Sequence, residues 1–167
     1  MFDPSLIHQA EYVLATCRAK QLKIATVESC TGGLVAALLT EIAGSSDVVD
    51  RGFITYSNAA KHELVGVPDP LIANHGAVSE PVARAMAEGG LTHSEADLCI
   101  ALTGIAGPGG GSAEKPVGLV HLALAAKNKP TVHVRCLFTQ ATRTDIRLAA
   151  VKKALDLLQE AAQASNA

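Results

Sequence analysis

The sequence predicts an α/β domain, a three-layer α/β/α sandwich built on a mixed sheet. Three observations carry this. Short apolar runs alternate with helix-periodic segments along all 167 residues, the pattern of a sheet covered by helices. The run Leu98-Cys99-Ile100-Ala101-Leu102 has no polar face, as a strand buried on both sides requires. Two later apolar runs, 117–126 and 131–138, are separated only by Lys127-Asn128-Lys129-Pro130. That is a hairpin-length connection, so at least one strand pair is antiparallel.

Each element follows in turn. Asp3-Pro4 is a cap and first-turn pair, and Leu6, Ile7, Ala10, Val13, Leu14 and Cys17 then recur at helical spacing. A strand is expected over 24–27, a helix over 32–42 stopping near Gly44, and a strand over 48–56. Ser57 can cap a short helix over 58–64, and Pro68-Asp69-Pro70 leads into one or two helical turns over 71–75. Ser79-Glu80-Pro81 opens a further helix, which Gly89-Gly90 is expected to end. The strand at 98–102 runs into a glycine-rich loop over 103–116, then the hairpin. The last helix starts near Thr142 with Ile146, Ala149, Ala150, Leu157 and Leu158 on one face, and the tail from Gln163 is expected to fray. No repeat or linker interrupts the pattern, so 1–167 reads as one domain with an ordered core over about 5–160.

Composition narrows the function. With only five aromatic residues, the core must be closely packed Ala, Leu, Ile and Val. A formal charge of −2 without a basic tract argues against nucleic acid as a partner. Cys17, Cys30, Cys99 and Cys136 form no C-x-x-C pair and read as reduced thiols. With no signal-peptide pattern and no membrane-length apolar run, the expectation is a cytoplasmic protein that does not bind a membrane. The six histidines show no metal-ligand spacing, so neither a metal nor another cofactor is expected. The Ala-rich helices offer close-packing faces, which favours a homodimer.

The segment Val27-Glu28-Ser29-Cys30-Thr31-Gly32-Gly33 carries the most chemistry. It reads as a strand end, a tight turn and a helix start, where a side chain is exposed beside free N–H groups and the positive end of a helix. Ser29 is the candidate nucleophile, Cys30 its rival, and Gly32 and Gly33 are candidate amide donors. Tyr56 and Lys61 flank a second strand-to-helix junction. A lysine without its proton can serve a serine as base, and a tyrosine hydroxyl can relay a proton or hold an oxyanion. Taken singly, Lys61 is as readily a solvated helix lysine and Tyr56 a half-buried strand end.

The loop Thr103-Gly104-Ile105-Ala106-Gly107-Pro108-Gly109-Gly110-Gly111-Ser112 follows a buried strand. Its backbone could cradle an anion such as phosphate, or it is a surface loop. It is neither a P-loop nor a dinucleotide fingerprint. Arg143 is a candidate phosphate ligand, and Arg147 is read as a partner of Asp145 or a nearby acid. Ser46 is a turn residue that could support the site.

Five motifs in order closely resemble the C-terminal domain of the CinA family: Glu28-Ser29-Cys30-Thr31-Gly32-Gly33; Thr55-Tyr56-Ser57-Asn58 with Lys61; His75-Gly76-Ala77-Val78-Ser79; Thr103-Gly104-Ile105-Ala106-Gly107-Pro108-Gly109-Gly110; and Lys115-Pro116-Val117-Gly118. The resemblance covers about residues 5–160. Larger members carry a further N-terminal domain similar to molybdopterin-biosynthesis proteins. Members of known activity convert nicotinamide mononucleotide (NMN) to nicotinate mononucleotide and ammonia, without a metal, in the pyridine nucleotide cycle. The resemblance implies Ser29, Lys61 and Tyr56 as catalytic residues. For a small phosphorylated substrate, the candidate binding residues are Thr31, Gly32, Gly33, Ser46, Asn58, Thr103, Gly104, Gly107, Gly109, Gly110 and Arg143. A non-catalytic nucleotide-binding module and an amidase for another small carboxamide are the competing readings.

Overall fold

A computed structural model describes residues 2–139 and 142–165. Five strands form one mixed sheet: β1 Ile24–Glu28, β2 Val49–Ile54, β3 Leu98–Gly104, β4 Leu119–Ala126 and β5 Val132–Leu137. Their order is β2-β1-β3-β4-β5. β1 runs parallel to both β2 and β3, while β3–β4 and β4–β5 are antiparallel. The hairpin expected from the sequence is the β4–β5 pair.

Helices cover both faces, as the sandwich reading requires. On one face α1 (Pro4–Ala19), α2 (Leu34–Glu41) and α6 (Arg143–Ala164) pack against Ile24, Leu98, Ile100, Leu102, Val120, Leu122 and Leu124. On the other, α3 (Asn58–Val65), α4 (Asp69–His75) and α5 (Glu80–Thr92) meet Ala25, Val27, Cys99, Ala101, Ala123 and Ala125. The strand residues alternate in size as well as in direction. Large side chains fill the α1/α6 layer, and small ones let α5 sit close to the sheet.

That close approach corrects one expectation. Gly89 and Gly90 do not end α5, which continues to Thr92. A Cβ on Gly89 would strike the Val65 carbonyl, and one on Gly90 would strike the Val27 and Cys99 side chains. These glycines therefore serve packing and not termination. Other boundaries shift by a few residues. α2 begins at Leu34 because Gly32 and Gly33 have φ of +59° and +99°. β2 ends at Ile54, short of Tyr56, and β4 starts at Leu119, beyond the turn at Gly118. α6 extends to Ala164, one residue past Gln163, where fraying is expected to begin. There the Lys20 Nζ donates to the carbonyls of Ala162, Gln163 and Ser165 at 2.7–2.8 Å, capping the helix end with a cation. The rest of that tail, 166–167, lies outside the described residues.

Register brings the site together. Glu28 lies opposite Ile54 on one side and Leu102 on the other. The Ser29 amide donates to the Leu102 carbonyl at 3.0 Å, and the Thr55 amide to the Glu28 carbonyl at 2.9 Å. The carboxyl ends of all three parallel strands thus converge, the place where α/β sheets present their ligand sites. No described helix is long and apolar enough to cross a membrane.

Candidate active site

Ser29 is the first residue beyond β1. α3 starts directly after β2 with Ser57 as its cap, whose side chain accepts the Ala60 amide at 3.0 Å. Lys61 therefore falls one turn into the helix and reaches back across the end of β1. It is 1% exposed, well outside the ordinary surroundings of a lysine. Its Nζ lies 3.1 Å from Ser29 Oγ, 2.9 Å from the Thr55 carbonyl and 3.4 Å from the Tyr56 carbonyl. An ammonium donates to all three acceptors, and the neutral amine that a base requires uses them differently. Two N–H groups go to the two carbonyls, and the lone pair takes the serine proton. Burial lowers the Lys61 pKa below its ordinary value, toward that neutral form.

A cleft of about 210 Å³ opens above the pair. Ser29, Cys30, Tyr56, Asn58, Lys61, Ala77, Val78, Thr103, Gly104, Ala106 and Arg143 line it. Cys30 is buried, and burial pushes its thiol up to about 11. A thiol held protonated is a poor nucleophile, so the rivalry at this turn favours Ser29.

Several expectations are redrawn by the hydrogen bonds. The Gly33 amide donates to Glu28 Oε2 at 3.0 Å, and the Gly32 amide to the Ser29 carbonyl at 3.1 Å. Neither is available to a substrate anion. The same Glu28 carboxylate accepts the Val35 and Ala36 amides at 3.1 and 2.9 Å. It fills the N-terminus of α2, the position expected to hold an external anion. The Thr103 hydroxyl, expected to donate to substrate, donates to the Ala77 carbonyl at 2.9 Å. Thr31 is fully buried, away from the cleft lining, and its hydroxyl has no partner among the described residues. Ser46 is exposed in a short 3-10 turn and does not line the cleft.

Tyr56 is 64% exposed. Its hydroxyl accepts from Arg143 Nη2 at 3.3 Å, so only its backbone carbonyl contacts Lys61. Arg143 is the first residue of α6, set by the capping box of Thr142 and Asp145. Its Nη1 donates to the Gly107 carbonyl at 2.7 Å. Arg143 thus spans the cleft mouth from Tyr56 to the glycine loop. Of that loop, Gly104 and Ala106 line the cleft, Gly107 faces it through its carbonyl, and Gly109 and Gly110 are exposed outside the lining.

Arg147 does not pair with Asp145. Residues two apart on a helix do not face each other, and Asp145 bonds Thr142 instead. Arg147 donates to the carbonyls of Cys30 and Thr31 at 3.1 and 2.9 Å. Sequence reasoning missed both this contact and the role of Glu28. The available signal was a carboxylate closing an otherwise apolar strand just before a glycine pair.

Fold and cleft together define a small α/β protein with a serine–lysine pair at the end of a parallel strand. The chain belongs to the CinA C-terminal domain family, whose model matches residues 7–162. It is 48% identical to a CinA-like protein of Anaeromyxobacter dehalogenans over 89% of the chain and 36% of that protein. The chain spans about a third of the length of such relatives. It is 45% identical to the nicotinamide-nucleotide amidohydrolase PncC of Escherichia coli, over 95% of both chains. Among solved structures, the competence/damage inducible protein CihA of Agrobacterium tumefaciens matches with a TM-score of 0.94 and 49% identity over 98% of each chain.

Proposed function

We propose that this protein is an amidohydrolase that converts NMN to nicotinate mononucleotide and ammonia. The observation that carries the reading is the buried Lys61 amine 3.1 Å from Ser29 Oγ beneath an open cleft. The full-length similarity to a nicotinamide-nucleotide amidohydrolase supports the substrate.

An amide is a weak electrophile with a poor leaving group, so it needs an activated nucleophile and a proton donor. Ser29 Oγ attacks the carboxamide carbon while its proton passes to Lys61 Nζ. The tetrahedral intermediate collapses, the C–N bond breaks, and ammonia leaves with the proton returned by Lys61. Water then attacks the Ser29 ester, giving a proton to Lys61, which returns it to Ser29 Oγ as the acyl C–O bond breaks; the acid product leaves and loses its proton to solvent or ammonia. Tyr56, bonded to Arg143 at the cleft mouth, lines the substrate side. No step calls for a metal. Arg143 has five N–H donors and two are occupied within the protein, which leaves donors for the 5′-phosphate. Asn58 and Gly104 complete the substrate side. The reading extends to a cytoplasmic, homodimeric enzyme of pyridine nucleotide recycling, for which light scattering tests the dimer.

Ammonia release is to be compared for NMN, nicotinamide riboside and nicotinamide. NMN is expected to be the best substrate, with loss of the phosphate costing about 2–5 kcal/mol of transition-state binding. Arg143→Ala should weaken NMN and leave the riboside nearly unchanged, a double-mutant cycle between arginine and phosphate. Equal use of riboside and NMN would point to another carboxamide. No release from any of the three would point to a binding module.

A further inference from the structure

The turn carrying Ser29 is gripped by two opposite charges that the mechanism above leaves unused. Glu28 holds the amides of Gly33, Val35 and Ala36. Arg147 reaches in from α6, Nε to the Cys30 carbonyl at 3.1 Å and Nη2 to the Thr31 carbonyl at 2.9 Å. With the Gly32 amide on the Ser29 carbonyl, the donors expected for an oxyanion are occupied. The Cys30 amide has no backbone or carboxylate acceptor among the described residues, and Cys30 lines the cleft, whereas Thr31 is fully buried outside it. The amide directly after a nucleophile is a common oxyanion donor.

The Cys30 carbonyl and the Thr31 N–H belong to one peptide group. A guanidinium on that carbonyl fixes the group's orientation and polarises it, which strengthens the N–H as a donor. The Thr31 carbonyl is coupled in the same way to the Gly32 N–H, which donates to the Ser29 carbonyl and so polarises the peptide group whose N–H is the Cys30 amide. We propose that Arg147 is a positioning residue, holding and polarising the turn so that the Cys30 amide receives the oxyanion formed when Ser29 attacks. The proposal rests on the amidohydrolase reading, and its test separates the two.

The measurements are ammonia release from NMN, thermal midpoint and pH–rate profile for the wild type, Arg147→Lys and Arg147→Ala. Arg147→Ala should lose roughly 10²–10³-fold in kcat, the scale of a lost oxyanion donor, with KM almost unchanged. The pH–rate midpoint should stay in place, because the Ser29–Lys61 contact is untouched. Added guanidinium ion should restore part of the rate, and Arg147→Lys, which keeps one bond, should fall between. If Arg147→Ala fails to fold, the lysine variant carries the test, with a native thermal midpoint and a reduced kcat. An unchanged kcat, a rise in KM that accounts for the loss, or a displaced pH midpoint overturns the proposal.

If the wild type releases no ammonia from NMN, the amidohydrolase reading fails by itself. Positioning is then read from the rate at which phenylmethylsulfonyl fluoride labels Ser29, followed by mass spectrometry. Labelling should be roughly tenfold slower or worse in Arg147→Ala. Equal rates, or no labelling of the wild type, overturn the proposal.

Discussion

Lys61 gives the site its character at the scale of single residues. Its amine is buried among two carbonyls and a hydroxyl, with burial favouring the neutral form. Activity should therefore rise with pH through the Lys61 pKa and level off above it, at a midpoint below that of an ordinary lysine. Lys61→Arg should be nearly inactive at every pH, because a guanidinium stays protonated. Near-normal turnover in that variant would remove Lys61 from the role of base. The same burial opposes stability. Between the lowered folded pKa and the ordinary unfolded one, the unfolded chain binds more protons, so this group's contribution falls as pH drops through that window. Lys61→Met should thus unfold at higher denaturant than the wild type at pH 7, with the gap closing toward pH 10. A variant less stable at pH 7 would mean that the lost hydrogen bonds outweigh the burial cost.

Individual elements are shaped by contacts that propensity does not reveal. α5 carries Gly89-Gly90, a pair expected to end a helix, yet it runs on because Val65, Val27 and Cys99 need the space. Alanine is the better helix former by roughly 1 kcal/mol. Gly90→Ala should nevertheless destabilise by about 1–3 kcal/mol, the cost of overpacking a filled core. Equilibrium denaturant unfolding measures this, and a neutral or stabilising result would show that α5 can move off the sheet. α2 shows the reverse economy. Its N-terminus looks like an open anion site in the sequence, but Glu28 closes it from within. The oxyanion role expected of Gly32 and Gly33 therefore moves off these two amides, while the phosphate stays proposed for Arg143 and the loop beside it.

Across the whole molecule, sheet and layers were legible because local signals agree with the global fold. Leu98 to Leu102 could only be a doubly buried strand, and the short Lys127–Pro130 link could only join an antiparallel pair. Ser29 and Lys61 were legible as candidates because each follows a strand end. That the two touch is a matter of register, since Glu28 must lie opposite Ile54 for α3 to cross above it. The roles of Gly32, Gly33, Thr103 and Arg147 were misread for a related reason. A sequence shows which groups can donate or accept, and only packing shows which are already engaged. In the proposed mechanism one serine, and not its neighbouring cysteine, is the attacking group. Ammonia release from NMN by Ser29→Ala and Cys30→Ala, set beside the wild type, tests this. Ser29→Ala should lose at least ~10³-fold in turnover, while Cys30→Ala keeps most of it. Retained activity in Ser29→Ala, or the loss falling on Cys30→Ala instead, would contradict a serine–lysine mechanism.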